Sequence, residues 1–216
     1  MNTTTKKIVT IGMLSALAFV VLLCTRIPVS FLTFDAKDAI IAISGLIFGP
    51  LVSAGISLGV SLVEMVTISS TGVIGLIMNV LASCSFACTA AFIYKKKRTL
   101  AGAFLGLLSG ILLSTLVMLL WNYLITPLYL NASREAVVEM LVPLLLPFNL
   151  IKNGINAAIT MLLYKPLSFA LRKASLLPPR QQSDTVNRGQ SIGVTLVSLM
   201  FLATFILLFL VLNGKI

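Results

Sequence analysis

Long, continuously apolar runs, separated by short polar or basic breaks, make up most of this chain. Within the runs, apolar residues do not alternate with polar ones as they would in the strands of a membrane barrel. Because only helices and closed barrels satisfy the backbone hydrogen bonds in lipid, the runs predict membrane helices. We expect seven of them, at residues 8–25, 39–48, 51–68, 73–94, 99–124, 142–168 and 192–212.

Composition and charge agree with this pattern. Of the 216 residues, 58% are hydrophobic and only 10% are charged, which is typical of an integral membrane protein. The net charge of +10 would favour nucleic acid in a soluble protein, but here the basic residues cluster at helix ends. Alternating the segments across the membrane places eleven basic residues on one side and three on the other. We therefore expect a cytoplasmic N-terminus, a C-terminus outside, and no nucleic-acid partner.

One lysine lies inside the sixth predicted helix, well before its basic end. Asn149, Lys152, Asn153 and Asn156 fall at i, i+3, i+4 and i+7, so they share one helix face. A charged side chain at membrane depth is costly and marks a functional site by default, so we expect this stripe to face a cavity or the bundle interior. The alternative is that the amides form hydrogen bonds between helices and hold the bundle together.

Further polar and aromatic residues gather in the same, outer half of the predicted bundle. Amide and ammonium groups donate hydrogen bonds to ring carbonyls and nitrogens, and aromatic side chains stack on flat rings, so this set suits a planar heterocycle with several acceptors. The expected pocket is lined by Asn79, Asn122, Asn149, Lys152 and Asn153, with aromatic walls from Phe34, Trp121, Tyr123 and Phe148. The carboxylates expected near its mouth are Asp35, Asp38 and Glu64, the last with an alternative as an interfacial residue.

Two outer segments connect the helices on the side of this pocket. Residues 26–38 contain a proline and four charges, yet they are unusually apolar for an exposed loop. We expect this first loop to fold over the pocket as a lid, or alternatively to rest on lipid headgroups. A second loop is expected at residues 125–141.

Residue types that are missing from the sequence disfavour several kinds of chemistry. There is no histidine, and the three cysteines lie inside apolar runs without other ligands nearby, so we expect no metal site. No nucleophile has a base beside it, so we expect neither an enzyme nor a cofactor. The phosphate-binding pattern GxxxxGK[ST] is absent as well, so a transporter built on this chain needs an energised partner. Gly12 and Ala16 form a small-xxx-small pair in the first helix, suited to close helix packing.

Five stretches together resemble the substrate-binding (S) components of energy-coupling factor (ECF) vitamin transporters, of the riboflavin type. They are the Gly12/Ala16 pair, FDAKDAIIAISGLIFGP from Phe34, STGVIGLIMNVLA followed by YKKKRTLAGAFLG, NYLITPLY from Asn122, and PFNLIK from Pro147. The resemblance covers about residues 7–173. The acidic stretch departs from the family's pattern, because no proline follows Asp38.

The resemblance implies an all-α integral membrane protein of a bacterial cell membrane. Residues 1–174 would form a six-helix S-component bundle. A cytoplasmic linker at 175–190 and one additional C-terminal transmembrane helix at 191–216 lie outside that bundle. Because the additional helix is apolar all round, we expect it to face lipid and to carry no chemistry.

The resemblance also implies high-affinity binding and uptake of riboflavin, or a close flavin such as FMN, through an outward-facing pocket capped by the first loop. It assigns hydrogen bonds with the flavin to Asn122, Asn149 and Lys152. The whole expected site consists of Asn149, Lys152, Asn153, Asn122, Asn79, Phe34, Asp35 and Trp121.

The resemblance implies protein partners too. Gly12 and Ala16 would meet a transmembrane T component driven by two cytoplasmic ATPases, and the S component would topple in the membrane to release its substrate. The alternatives are an S component for another vitamin, such as thiamine, folate or pantothenate, and a membrane scaffold without a transport function.

Overall fold

The computed structural model describes residues 3–29, 31–130, 133–177, 195–196, 198–200, 202–207 and 210. Its helices are α1 (Thr3–Thr25), α2 (Lys37–Phe48), α3 (Pro50–Thr67), α4 (Gly72–Ser83), α5 (Thr89–Lys96), α6 (Leu100–Leu130), α7 (Arg134–Met140) and α8 (Leu146–Lys173). Two wider, π-helical turns, Cys84–Cys88 and Leu141–Leu145, join α4 to α5 and α7 to α8. Two short strands, β1 (Ile27–Val29) and β2 (Leu32–Phe34), follow α1.

Among the described residues, four helical segments are long and apolar enough to cross a membrane. They are Thr4–Thr25, Pro50–Thr67, Gly72–Lys96 and Leu100–Leu128. At 28 residues α8 is also long enough, but its polar stripe and basic residues set it apart from these four. The prediction of a helical, multi-pass membrane protein is confirmed.

The short helix α2 lies at the centre of the molecule, in contact with α1, α3, α5 and α8. Its residues from Lys37 to Leu46 are all buried. Gly45 allows close packing, because a Cβ atom at this position would lie 2.9 Å from Ala91 Cβ and 3.0 Å from Ser53 Cβ. The main apolar core therefore surrounds α2, and the helix has no lipid-facing side over these ten residues.

Within residues 26–38, where we expected a lid-like loop, the strands Ile27–Val29 and Leu32–Phe34 form a hairpin. The two strands are antiparallel, with Ile27 opposite Phe34 and Val29 opposite Leu32. Because side chains alternate along a strand, Val29, Leu32 and Phe34 all point into the protein, and each of them is buried. The unusual apolarity of this segment is thus explained by a packed hairpin face.

The segment 125–141, where we expected an outer loop, is largely helical in its described part. The helix α6 continues through Pro127 to Leu130. A membrane helix tolerates an internal proline where neighbouring groups satisfy the freed carbonyl. A new helix, α7, then begins after Ser133, whose side chain caps it by accepting a hydrogen bond from the Ala136 backbone N–H at 3.2 Å.

The expected C-terminal helix at 192–212 lies partly outside the described residues, as does most of the linker. Within the described part, residues 195–196, 198–200 and 202–207 are helical. The expectation that this helix faces only lipid is wrong at Phe205, since a Cβ atom added to Gly154 of α8 would lie 2.5 Å from the Phe205 ring. Leu202 and Phe205 thus form a face of this segment that packs against the apolar cluster containing residues of α8.

Candidate functional site

The polar stripe of α8 faces the bundle interior, as its periodicity predicts. Asn149, Asn153 and Asn156 are buried, and the Lys152 side chain is 12% exposed. The remaining faces of the same helix are mainly apolar and carry the small residues Gly154, Ala157 and Ala158. This separation of faces brings the stripe against the segment that joins β2 to α2.

Lys152 is paired with a carboxylate of that segment. Its Nζ donates a hydrogen bond to Asp35 Oδ2 at 2.8 Å, and the Asp35 side chain is 4% exposed. Burial alone would raise the pKa of the Asp35 carboxyl, but the ammonium groups of Lys152 and Lys37 hold that pKa below its ordinary value. The carboxylate we expected near the mouth of the pocket is therefore a direct partner of the stripe.

Asn156 fixes the same segment through both ends of its amide. Its Nδ2 donates to the backbone oxygens of Asp35, at 3.0 Å, and of Lys152, at 2.9 Å. Its Oδ1 accepts from the backbone N–H of Ala39 at 2.8 Å. Asn156 belongs to the predicted stripe but was not among the expected site residues. Its role follows from contacts with residues more than a hundred positions earlier in the chain, which sequence spacing does not reveal.

A second ion pair, more fully buried at its lysine, lies beside the first. Lys37, at the start of α2, donates a hydrogen bond from Nζ to Glu64 Oε2 of α3, and Lys37 is 1% exposed. The neighbouring Asp38 accepts a hydrogen bond from the Ser83 hydroxyl of α4. The structure thus places five charged side chains in this region, and sequence reasoning missed the roles of Lys37 and Ser83. The role of Lys37 could have been inferred from Glu64, because a carboxylate within a membrane helix requires a cationic partner.

The hairpin covers the first turns of α8. Val29, Leu32 and Phe34 form one apolar cluster with Phe148 and Ile151. Phe34 and Phe148, both expected as aromatic walls, therefore lie in the same cluster, next to the stripe. The Lys152–Asp35 contact lies where this cluster meets the start of α2.

Two of the expected asparagines make hydrogen bonds within their own helices. Asn122 is buried in α6, where its Nδ2 donates to Met118 O at 2.7 Å and its Oδ1 accepts from the Thr126 hydroxyl at 2.8 Å. The Nδ2 of Asn149 donates to Leu145 O at 2.8 Å. Both amides therefore form hydrogen bonds with groups one turn away on the same helical segment, and none of these bonds joins two helices.

Two other expected residues carry buried donors without an acceptor among the described residues. They are the Nδ2 of Asn153, on α8, and the indole Nε1 of Trp121, on α6. A buried polar group that lacks a partner is unusual in a folded protein and calls for a specific explanation. Asn79, on α4, is half-buried.

Tyr123 is not part of this interior, contrary to our expectation. Its side chain is 36% exposed, and the guanidinium of Arg134 lies over its ring, 5.5 Å from the centroid. Tyr123 follows Asn122 directly, so the helix turns the two side chains to different faces. One is buried and the other faces outward.

The small pair on α1 lies on the surface. Gly12 and Ala16 are both exposed, and a Cβ atom added at Gly12 would meet nothing within 4 Å. The pair is therefore not used for packing within the described part of the chain. It leaves a shallow face on α1 that is open to another helix.

Within the part of the chain that the structure describes, no group of three or more cysteine or carboxylate side chains is arranged to hold a metal ion. The three cysteines are free thiols. The groups that the site presents are hydrogen-bonding amides, an ion pair and apolar side chains.

Apolar helices around a buried, ion-paired polar stripe define a multi-pass membrane protein with an internal polar site. Residues 6–164 match the sequence model of the family described as "ECF transporter, substrate-specific component". The chain belongs to this family. The resemblance to ECF S components, and the expectation that the chain is not an enzyme, are confirmed.

Individual relatives agree with the family match. The chain is 32% identical to "Riboflavin transporter RibU" of Staphylococcus aureus (strain TCH60), over 78% of this chain and 93% of the relative. It is 31% identical to "Riboflavin transporter FmnP" of Bacillus subtilis (strain 168), over 74% of this chain and 90% of the relative.

A solved structure, "Structure and mechanism of the S component of a bacterial ECF transporter", is similar in fold. Its TM-score with this chain is 0.66 at 32% identity, and the match covers 78% of this chain and 99% of that one. The family match ends at residue 164, so the predicted linker and C-terminal helix lie beyond it.

Proposed function

We propose that this chain is an S component that binds riboflavin with high affinity and takes part in its uptake across a bacterial cell membrane. Two relatives at 31–32% identity carry the name riboflavin transporter, which supports this substrate. The observation that carries the proposal is the α8 stripe, with a lysine that is only 12% exposed and an amide donor that has no acceptor among the described residues. A flavin ring offers carbonyl oxygens and ring nitrogens to both.

The proposed ligand lies against the stripe between α8, α6 and the hairpin. Lys152 and Asn153 donate hydrogen bonds to the acceptors of the ring, and so does the indole N–H of Trp121, which has no acceptor among the described residues. Asn122 and Asn149 turn from their own helix carbonyls toward the ring, and Asn79 lines the side of α4. The walls of Phe34 and Phe148 stack on or cover the flat faces of the ring.

The hairpin is proposed to cap this pocket. Its closed position is supported by the Lys152–Asp35 pair and by the hydrogen bonds of Asn156 to the same segment. A ligand that engages Lys152 shares the ammonium group of this side chain with Asp35. Binding of the ligand and the position of the hairpin are therefore linked through one side chain.

Transport is proposed to require a T component and two ATPases, since the chain has no phosphate-binding loop of its own. The exposed pair Gly12 and Ala16 on α1 offers a face on which another helix can pack closely. In this arrangement the N-terminus is cytoplasmic, and a six-helix bundle carries the site while the additional C-terminal helix lies beside it, with its end outside. Toppling of the bundle in the membrane would release the substrate inside.

Riboflavin titration tests the proposal directly. The chain is purified in detergent, and quenching of flavin fluorescence is followed as protein is added. We expect stoichiometric quenching that FMN displaces weakly and that thiamine and folate do not displace. Unchanged flavin fluorescence in the presence of folded protein contradicts the proposal, and displacement by thiamine or folate reassigns the site to another vitamin.

A further inference from the structure

A deep apolar groove lies on the side of α8 that faces away from the polar stripe. It has a volume of about 620 Å³ and lies between α6, α8 and the C-terminal segment. From α8 it is lined by Leu150, Gly154, Ala158 and Met161, among others, and Phe205 closes its third side. The proposed flavin site does not use this groove, because its lining is almost wholly apolar.

The groove runs along α6 from the first residue of that helix. Its α6 wall extends from Leu100 to Leu112, which corresponds to about 18 Å along a helix axis. One leaflet of a bilayer contributes about 15 Å of hydrocarbon, half of the full thickness. The groove is therefore about as deep as one leaflet, and the exposed side chains of Phe104 and Leu112 show that it opens toward lipid.

Basic residues directly precede Leu100, the first groove-lining residue of α6. Lys97 and Arg98 are exposed in the turn that precedes Leu100. That turn is held against α6, because a Cβ atom added to Gly102 would lie 1.9 Å from the Lys97 carbonyl oxygen, and the Thr99 hydroxyl accepts a hydrogen bond from the Gly102 N–H at 3.1 Å. On α8, Lys165 follows Met161 by one helical turn on the same face.

We propose that the groove binds one anionic glycerophospholipid from the leaflet on this basic side. An acyl chain fills the space between α6 and α8, and the headgroup phosphate lies at the mouth near Lys97, Arg98 and Lys165. Charge complementarity with these residues favours an anionic headgroup over a zwitterionic one. The depth of one leaflet fits an acyl chain better than a helix of a partner protein, which would extend across both leaflets.

Site-specific fluorescence tests this proposal in the full chain. Trp121 is the single tryptophan, so a Trp121→Phe background is free of intrinsic indole signal. Phe104→Trp then places a reporter in the groove, and Leu105→Trp places the matched reporter on the next residue, which is 46% exposed and does not line the groove. Both proteins are reconstituted into vesicles that contain phosphatidylglycerol or phosphatidylcholine with brominated acyl chains, which quench indole fluorescence on contact.

At position 104 we expect selective quenching by phosphatidylglycerol, with a binding preference of at least roughly five-fold over phosphatidylcholine, the factor that one basic residue near an anionic surface supplies. The reporter at 105 should show no preference. Lys97→Gln/Arg98→Gln should abolish the preference at 104, and the matched pair Lys6→Gln/Lys7→Gln, on the same side of the membrane but on α1, should retain it.

Equal quenching by the two lipids at 104 would overturn the proposal, because the groove would then be ordinary lipid-facing surface. Absence of quenching by either lipid would overturn it too, because protein would then fill the groove. An independent measurement avoids the substitutions. The wild-type chain, purified from a mixture of the two lipids, should retain one phosphatidylglycerol in native mass spectrometry, and equal retention of both lipids would contradict the site.

Discussion

Two neighbouring lysine–carboxylate pairs hold the start of α2, and they differ in burial and in surroundings. The Lys37–Glu64 pair joins α2 to α3, two helices of the core, and the Lys37 side chain is 1% exposed. The Lys152–Asp35 pair joins α8 to the segment after the hairpin, and the Lys152 side chain is 12% exposed. The charged side chains of a pair between packed helices cannot separate without disrupting the helix packing. In a pair beside a hairpin, a ligand can replace one of the two partners. Their surroundings, more than their chemistry, suit the first to stability and the second to binding.

Removal of one partner of the core pair should have the largest effect. Lys37→Met leaves the Glu64 carboxylate buried without a cation, since Glu64 is 7% exposed. We expect the free energy of unfolding in detergent to fall by about 3–5 kcal/mol, measured by denaturant titration. The double variant Lys37→Met/Glu64→Leu removes both charges and should recover most of the loss. If single and double variants were equally unstable, the pair would not be the cause.

Two asparagines of the stripe offer a matched comparison of opposite sign. Asn156→Leu removes the amide that holds the segment after the hairpin, so the ligand-free protein should lose about 1–3 kcal/mol of unfolding free energy. Asn153→Leu replaces a buried donor without an acceptor among the described residues, so it should leave the ligand-free protein equally stable or more stable.

Riboflavin binding separates the two asparagines further. If the Asn153 amide donates a hydrogen bond to riboflavin, Asn153→Leu should weaken riboflavin binding by about 1–3 kcal/mol while the protein remains folded. Fluorescence titration supplies the dissociation constant, and thermal unfolding without ligand supplies the stability. A stable Asn153→Leu variant with unchanged affinity would show that the Asn153 amide does not contact the ligand.

The hairpin pair should affect affinity more than it affects stability. Lys152→Ala should raise the riboflavin dissociation constant by roughly five-fold to 150-fold, the range for loss of one hydrogen bond to a buried group. Its loss of stability should be smaller than that of Lys37→Met, because Asp35 keeps the nearby Lys37 ammonium and a hydrogen bond from the Lys37 backbone N–H. Lys165→Ala, at the basic end of α8, is the matched control and should bind as the wild type does. An unchanged dissociation constant for Lys152→Ala would remove this lysine from the site.

The helices were predictable from the sequence because their apolar runs are long and their breaks are marked by Gly49-Pro50 and the basic cluster at 95–98. The hairpin was not, because two three-residue strands are too short to give an alternation signal of their own. The extension of α6 was not predictable either, because Pro127 ordinarily marks a helix end and only tertiary surroundings show that it does not.

For the candidate site, the stripe was predictable and its partners were not. The spacing of the α8 asparagines fixes a shared face whatever the rest of the chain does. Lys152 pairs with Asp35, 117 positions away in the sequence, and Lys37 pairs with Glu64, 27 positions away. These pairings depend on how the helices pack. From the sequence alone, the five charged residues could form several different ion pairs.

The smallest effect on the isolated chain is expected on the outer face of α1, where neither ion pair is involved. Gly12→Leu adds a side chain at a position with nothing within 4 Å, so the stability and riboflavin affinity of the chain alone should change little, by about 0.5 kcal/mol or less. Association with the proposed T component should fail, because a leucine prevents the close approach that a small residue allows. Co-purification of the assembled complex measures this, and Val20→Leu, at a position of α1 that is 51% exposed, is the control. If Gly12→Leu assembled normally, the small pair would not be the contact; if it also lost riboflavin binding, misfolding would explain both defects.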